Sequence, residues 1–262
     1  MKTQKIVFFD LDHTVFDPIA KTVPHSTKEA FSRLAERGDV YIALATGRAL
    51  YMLDVVKQLL PYIDTFVTIN GQIITHRGKT IHDAPLNADI VEAVEAVFKR
   101  HDLTYGCIGK HTQAINRLDD FARKEFAGAS MPLPPVDPAF STHADVYQLW
   151  AFANKETFLR VRADLQGYNV VPWLSDGFDV VPHNQSKKDG ITKVLAHLAI
   201  PLANAYAFGD GENDIEMLAY VPHSVAMGNA KPHVKDTATH VTTGYDDDGV
   251  HRALVKLGLI EE

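Results

Sequence analysis

The chain has 262 residues, 46% of them hydrophobic and 23% charged, with a formal net charge of −7. These proportions fit a globular protein of one large domain, or of a domain carrying an insertion, and the acidic balance argues against a nucleic-acid partner. A lone cysteine, Cys107, excludes an internal disulfide; no apolar stretch reaches membrane-spanning length; and Met1-Lys2-Thr3-Gln4-Lys5 enters a strand with no signal region. The expectation is a cytoplasmic protein with no membrane partner.

Ile6-Val7-Phe8-Phe9 is a continuous apolar run, the pattern of a strand buried on both faces. Ala30, Phe31, Leu34 and Ala35 recur at helical spacing within 27–37, and Gly38 ends that helix. Residues 41–45 predict a second buried strand, 50–60 an amphipathic helix stopped by Pro61, and 65–69 a third strand running into the turn Asn70-Gly71. Alternating strands and helices imply right-handed crossovers and a parallel sheet.

The middle of the chain has another rhythm. A helix over 87–100 is followed by strand candidates at 104–108 and 112–116, close enough for a hairpin. The proline-rich stretch 131–138 excludes regular structure. Then come a strand at 146–153, a helix at 156–165 and strands at 168–173 and 178–181. Helices mixed with hairpins suggest an antiparallel α+β unit. The strand–helix alternation resumes with a helix at 189–198, a strand at 205–208 and a helix at 214–220. Short strands at 224–227 and 240–242 and a helix from 248 to 257 complete the chain. The fold class is therefore α/β: a Rossmann-like parallel-sheet core formed by 1–81 and 184–262, with an inserted α+β unit at 82–183.

Four polar clusters carry the chemistry. Asp10 and Asp12 flank Leu11 just past the first strand, where open parallel sheets bind ligands. Two acids so close repel unless a cation neutralises them, and oxygen donors of this kind suit Mg²⁺; alternatively, they cap a helix. Thr46-Gly47-Arg48 offers a hydroxyl and free amides at a strand-to-helix turn, which suits an anion or a plain helix cap. Ser186-Lys187 supplies an ammonium, although Lys188 could serve instead. Gly209-Asp210-Gly211-Glu212-Asn213-Asp214 gathers more acids after another buried strand, with glycines that let backbone approach a ligand. The 13 histidines are scattered, and no pair has zinc-ligand spacing.

Taken together, Phe-Phe-Asp-Leu-Asp-His-Thr, Ala-Thr-Gly-Arg, Ile-Asn-Gly, Ser-Lys and Gly-Asp-Gly-Glu-Asn-Asp-Ile-Glu-Met-Leu make the chain resemble the haloacid dehalogenase superfamily, and within it the Cof-type sugar-phosphate phosphatases. The resemblance spans the core; the middle unit matches the family's cap only in length, position and rhythm. It implies a Mg²⁺-dependent phosphomonoester hydrolase acting on a small soluble substrate. Asp10 would be the nucleophile and Asp12 the general acid–base. Mg²⁺ would be held by the Asp10 carboxylate, the Asp12 carbonyl and Asp210, with Asp214 in support. Leu11, Thr46, Gly47, Lys187 and Asn213 would line the phosphoryl group, and Arg48 and Asn70 would either touch phosphate or cap or make local turn and core hydrogen bonds. His13 stands where the family usually has glycine, so its side chain must point away from the nucleophile loop or lie near the cap.

Sugar phosphates, a phosphorylated flavin precursor and pyridoxal phosphate are all admissible substrates. The cap would set the choice by closing over the substrate on its two linkers, with Trp150, Trp173, Phe178 and Tyr147 either walling the substrate or forming the cap's own core. A phosphomutase of the same superfamily and a non-catalytic phosphate-ligand sensor are the alternative functions. Nothing in the sequence specifies an oligomeric state.

Overall fold

The structure is a computed structural model describing residues 4–128, 132–173, 176–183 and 185–261. Met1–Thr3 of the leader and Met131 of the proline-rich stretch lie outside the described residues. Two compact units are present, one made of 1–83 and 186–262 and the other of 84–185. The breaks fall two positions beyond those read from the sequence.

The first unit begins with β1 (Lys5–Phe9), α1 (His25–Glu36), β2 (Val40–Ala45), β3 (Thr65–Thr68), β4 (Ile73–His76) and β5 (Lys79–Asp83). In the second unit follow α2 (Ala88–Arg100), β6 (Thr104–Gly109), β7 (Gln113–Ile115), α3 (Asp120–Gly128), β8 (Val146–Phe152), α4 (Lys155–Asp164), β9 (Tyr168–Pro172) and β10 (Gly177–Pro182). The chain returns to the first unit with α5 (Lys187–Leu198), β11 (Ala205–Gly209), α6 (Ile215–Tyr220), β12 (His223–Ala226), α7 (Pro232–Lys235), β13 (His240–Val241) and α8 (Gly249–Lys256).

The first unit holds one sheet in the order β13-β12-β11-β1-β2-β3-β4-β5. All pairings are parallel from β13 to β3, while β4 and β5 add an antiparallel edge that the sequence reading did not anticipate. Alternate residues of β1 face opposite layers. Val7 and Phe9 join one core with Phe31 and Leu34 of α1 and Leu254 of α8, and Ile6 and Phe8 join the other with Ile191 and Val194 of α5. Successive connections step away from β1 on both sides. The carboxyl end of β1 is therefore the switch point where such sheets open a crevice.

The segment after β2 corrects an expectation. Residues 50–60 do not form an α-helix; they form two 3₁₀ turns, Leu50–Val56 and Leu60–Tyr62. Leu53, Val56 and Leu59 are the buried side chains. A spacing of three eclipses side chains on one edge of a 3₁₀ helix, and Pro61 prevents a longer helix from recruiting more bonds.

The second unit is a five-stranded antiparallel sheet, β7-β6-β8-β10-β9. Its own core packs Val94 and Phe98 of α2 and Val161 of α4 against Leu149, Phe178 and Val180. Trp150 is buried among Phe126, Phe152 and Trp173. Trp150, Phe178 and Tyr147 are thus core residues of this unit, and Trp173 is half-buried. α3 carried no expectation from the sequence. In the proline-rich stretch the described residues make only an isolated bridge, Val136 to Ile115.

Candidate active site

The residues singled out above gather at the carboxyl ends of β1, β2, β3 and β11 and at the start of α5, all within the first unit. Asp10 follows β1 directly, its amide donating to the Phe208 carbonyl of β11 at 2.9 Å, so the strand pairing continues into the loop. Lys187 is the first residue of α5, and its side chain is fully buried. Its ammonium donates to Asp10 Oδ1 at 2.5 Å and to Asp214 Oδ1 at 2.7 Å. Burial works against the charged form of Lys187, but the Asp10 and Asp214 charges hold it well above the usual lysine range. Lys188, the alternative read from the sequence, pairs instead with Asp189 near the surface.

Asp210 and Asp214 flank the turn after β11. Asp214 Oδ2 accepts from the amides of Asp210 and Gly211, both at 2.9 Å, so both of its oxygens are engaged by protein donors. Gly209 permits this closure, because a Cβ there would lie 2.6 Å from the Asp214 carboxyl. Asp10, Asp210 and Asp214 each offer an oxygen within 4.8 Å of the others, a spacing one ion can bridge.

Burial, then the Asp214 charge, pushes the Asp10 carboxyl up to about 7. Burial and the Asp10 charge push Asp210 up to about 8. Three packed carboxylates with one ammonium leave surplus negative charge. A small oxygen-seeking divalent cation fits that donor set. Asp10 and Asp210 are the better ligands, since Asp214 would have to release a donor.

Asp12, whose backbone carbonyl and not its carboxylate was expected on the metal, turns its side chain elsewhere. Its carboxylate stands outside the acid cluster, in a two-pronged pair with Arg48: Nε to Oδ2 at 2.8 Å and Nη2 to Oδ1 at 2.7 Å. Arg48, expected to face phosphate or cap, therefore faces Asp12. The Leu11 side chain belongs to the core, and its carbonyl accepts from Val15 and Phe16.

Thr46 is buried; its Oγ1 accepts from the Arg48 amide at 3.1 Å, and its carbonyl accepts from the Asn70 amide at 3.0 Å. Gly47 packs beside the Asn70 amide, and Asn213 Nδ2 donates to Asn70 Oδ1 at 3.2 Å. Asn70 and its predecessor Ile69 both take left-handed φ values, 50° and 51°. Asparagine tolerates this conformation, but a β-branched isoleucine does not, so strain is stored beside the anion-type loop. His13 also has φ 59°, which is the conformation that explains a usual glycine there. Its ring lies against Tyr245, with centroids 5.4 Å apart.

Two contributors escaped the sequence reading. Thr14 Oγ1 donates to Asp210 Oδ1 at 3.3 Å, and Asn229 Nδ2 donates to Asp210 Oδ2 at 3.0 Å. The available signal was positional: Gly228-Asn229 follows β12 much as the other motifs follow their strands.

A largely parallel sheet with helices on both faces, and a cluster of acids at its switch point, defines the class of α/β core to which this site belongs. The chain belongs to the haloacid dehalogenase-like hydrolase family, which it matches over residues 7–254. It is 30% identical to "Putative phosphatase YkrA" of Bacillus subtilis (strain 168), over 98% of this chain and 99% of that protein. A hypothetical protein of Geobacillus kaustophilus HTA426 has a solved structure that superposes with a TM-score of 0.86 at 37% identity, covering 98% of this chain and 100% of that one. A sugar phosphatase of superfamily subclass IIB superposes with a TM-score of 0.90 at 27% identity, with the same coverage. Among the described residues, no helix is long and apolar enough to cross a membrane.

Proposed function

We propose that the protein is a Mg²⁺-dependent phosphomonoester hydrolase working through an aspartyl-phosphate on Asp10. The observation that carries this reading is the buried charge inventory around Lys187, three carboxylates against one ammonium, which calls for a divalent cation. When bound, Mg²⁺ would neutralise charge on the transferring phosphoryl group.

Asp10 attacks phosphorus, forming a P–O bond to its carboxylate as the bond to the leaving oxygen breaks. Asp12 gives that oxygen a proton, then takes one from the water that cleaves the aspartyl-phosphate. Lys187 favours the ionised form of Asp10 against the effect of burial and fixes the direction of its carboxylate. Thr46 accepts from the Arg48 amide, which leaves its own hydroxyl proton for a phosphoryl oxygen. The Gly47 amide and the amide groups of Asn70 and Asn213 complete a set of donors for charge that shifts during transfer. Substrate choice is assigned to the inserted unit. Sugar phosphates lead the candidates, because a sugar phosphatase is among the similar structures.

The test is phosphate release from p-nitrophenyl phosphate and a panel of sugar and cofactor monophosphates, with Mg²⁺ and with EDTA. The expected result is metal-dependent release that Asp10→Asn reduces by about a thousandfold or more. Release indifferent to EDTA would overturn the metal dependence, and turnover retained in Asp10→Asn would overturn the nucleophile.

A further inference from the structure

The acids of this site differ in what neutralises them. Asp12 has the Arg48 guanidinium, and Asp10 and Asp214 share the Lys187 ammonium. Among the described residues, Asp210 alone of the four is hydrogen-bonded only by uncharged side chains: Thr14 at 3.3 Å and, more closely, Asn229 at 3.0 Å. An uncharged donor orients a carboxylate without cancelling its charge, which leaves that charge available to a cation.

The Asn229 amide is oriented without ambiguity. The Tyr245 amide can only donate, so it fixes Asn229 Oδ1 as its acceptor at 3.2 Å. The Nδ2 group must then face the two acceptors beside it, Asp210 Oδ2 and the His13 carbonyl at 3.1 Å. One side chain thereby ties together the nucleophile loop, the Asp210 turn and the segment before α8.

Its backbone is equally constrained. The Met227 amide donates to the Gly209 carbonyl and the Gly228 amide to the Thr243 carbonyl. A Cβ on Gly228 would meet the Gly244 nitrogen at 2.6 Å, so only glycine allows the approach that brings Asn229 to Asp210.

We propose that Asn229 is a positioning residue that holds the Asp210 carboxylate in register with Asp10 for the divalent cation. The proposal rests on the metal-dependent reading above and goes beyond it, by assigning to Asn229 the orientation of the acid whose side-chain hydrogen-bond partners are uncharged.

The experiment is Mn²⁺ binding to the full-length protein without substrate, followed by electron paramagnetic resonance, with melting in EDTA recorded in parallel. Asn229→Leu keeps the bulk and removes the donor; Mn²⁺ affinity should fall about tenfold, with little change in the EDTA melting temperature. If the leucine variant does not fold, Asn229→Ala carries the same expectation. Asp210→Asn is the control and should bind far more weakly than either. Affinity within twofold of the parent in the Asn229 variants, with Asp210→Asn defective, overturns the positioning role and leaves the metal reading standing. Parent-like affinity in Asp210→Asn overturns both.

Discussion

At the residue scale, a fully buried lysine is tolerable only where acids surround it, and Lys187 has Asp10 and Asp214 within hydrogen-bond distance. Residue chemistry alone left Lys188 open beside Lys187, which the family resemblance chose, because the choice depends on which side chain the start of α5 turns inward. The partner of Arg48 was left open for a related reason. A guanidinium after a strand suits phosphate or carboxylate equally, and only the fold sets Asp12 in front of its fork. The pairing makes a specific prediction. Asp12→Asn should slow turnover of alkyl phosphates by about a hundredfold or more, and Arg48→Met by about tenfold. Both losses should shrink on p-nitrophenyl phosphate, whose leaving group needs little protonation. Equal losses on both substrates in steady-state assays would show that Arg48 does not act through Asp12.

At the element scale, most segments were legible because their apolar periods are clean. The doubly buried strands β1, β2 and β11 are short continuous runs, and α2 buries Val91, Val94, Val97 and Phe98 along one stripe. The β4–β5 hairpin was missed because β4 is only four residues long and β5 is polar and partly exposed, with little alternation to read. The 3₁₀ turns after β2 were missed because a three-residue spacing is also compatible with an α-helix. Gly190, inside α5, yields a prediction opposite to propensity. Gly→Ala within a helix ordinarily stabilises by about 1 kcal/mol. Here a Cβ would sit 2.5 Å from Val67 Cγ1 and 3.1 Å from the Gly71 Cα. Gly190→Ala should therefore destabilise by about 1–3 kcal/mol in urea unfolding. A stabilised variant would mean that α5 does not pack so closely on β3.

At the scale of the whole molecule, the acid cluster ties stability to pH and metal. Asp10 and Asp210 have folded-state values of about 7 and about 8, above the ordinary carboxylate value of 3.8 that the unfolded chain adopts. Carboxyl values raised by folding mean that the folded protein holds its protons longer. The associated stability is complete below about pH 4 and is lost as pH rises through 7 to 8. In EDTA, the melting temperature should therefore fall between pH 5 and pH 8.5. Saturating Mg²⁺ should flatten that fall and raise the melting temperature most at the alkaline end, because a bound cation replaces the protons. Scanning calorimetry across that range checks both, and an EDTA profile that rises with pH would contradict the buried-acid account.

By itself, the sequence determined the alternation of strands and helices, the antiparallel character of the middle unit and the order of the polar motifs. Each of these is written in near-neighbour patterns of two to four residues. Tertiary structure alone decided which polar groups meet: Arg48 with Asp12, Lys187 with Asp10 and Asp214, and Asn229 with Asp210, pairs separated by 36, 177, 27 and 19 positions. Such encounters follow from the parallel sheet, which brings the carboxyl ends of distant strands to one edge, and no local pattern along the chain records them.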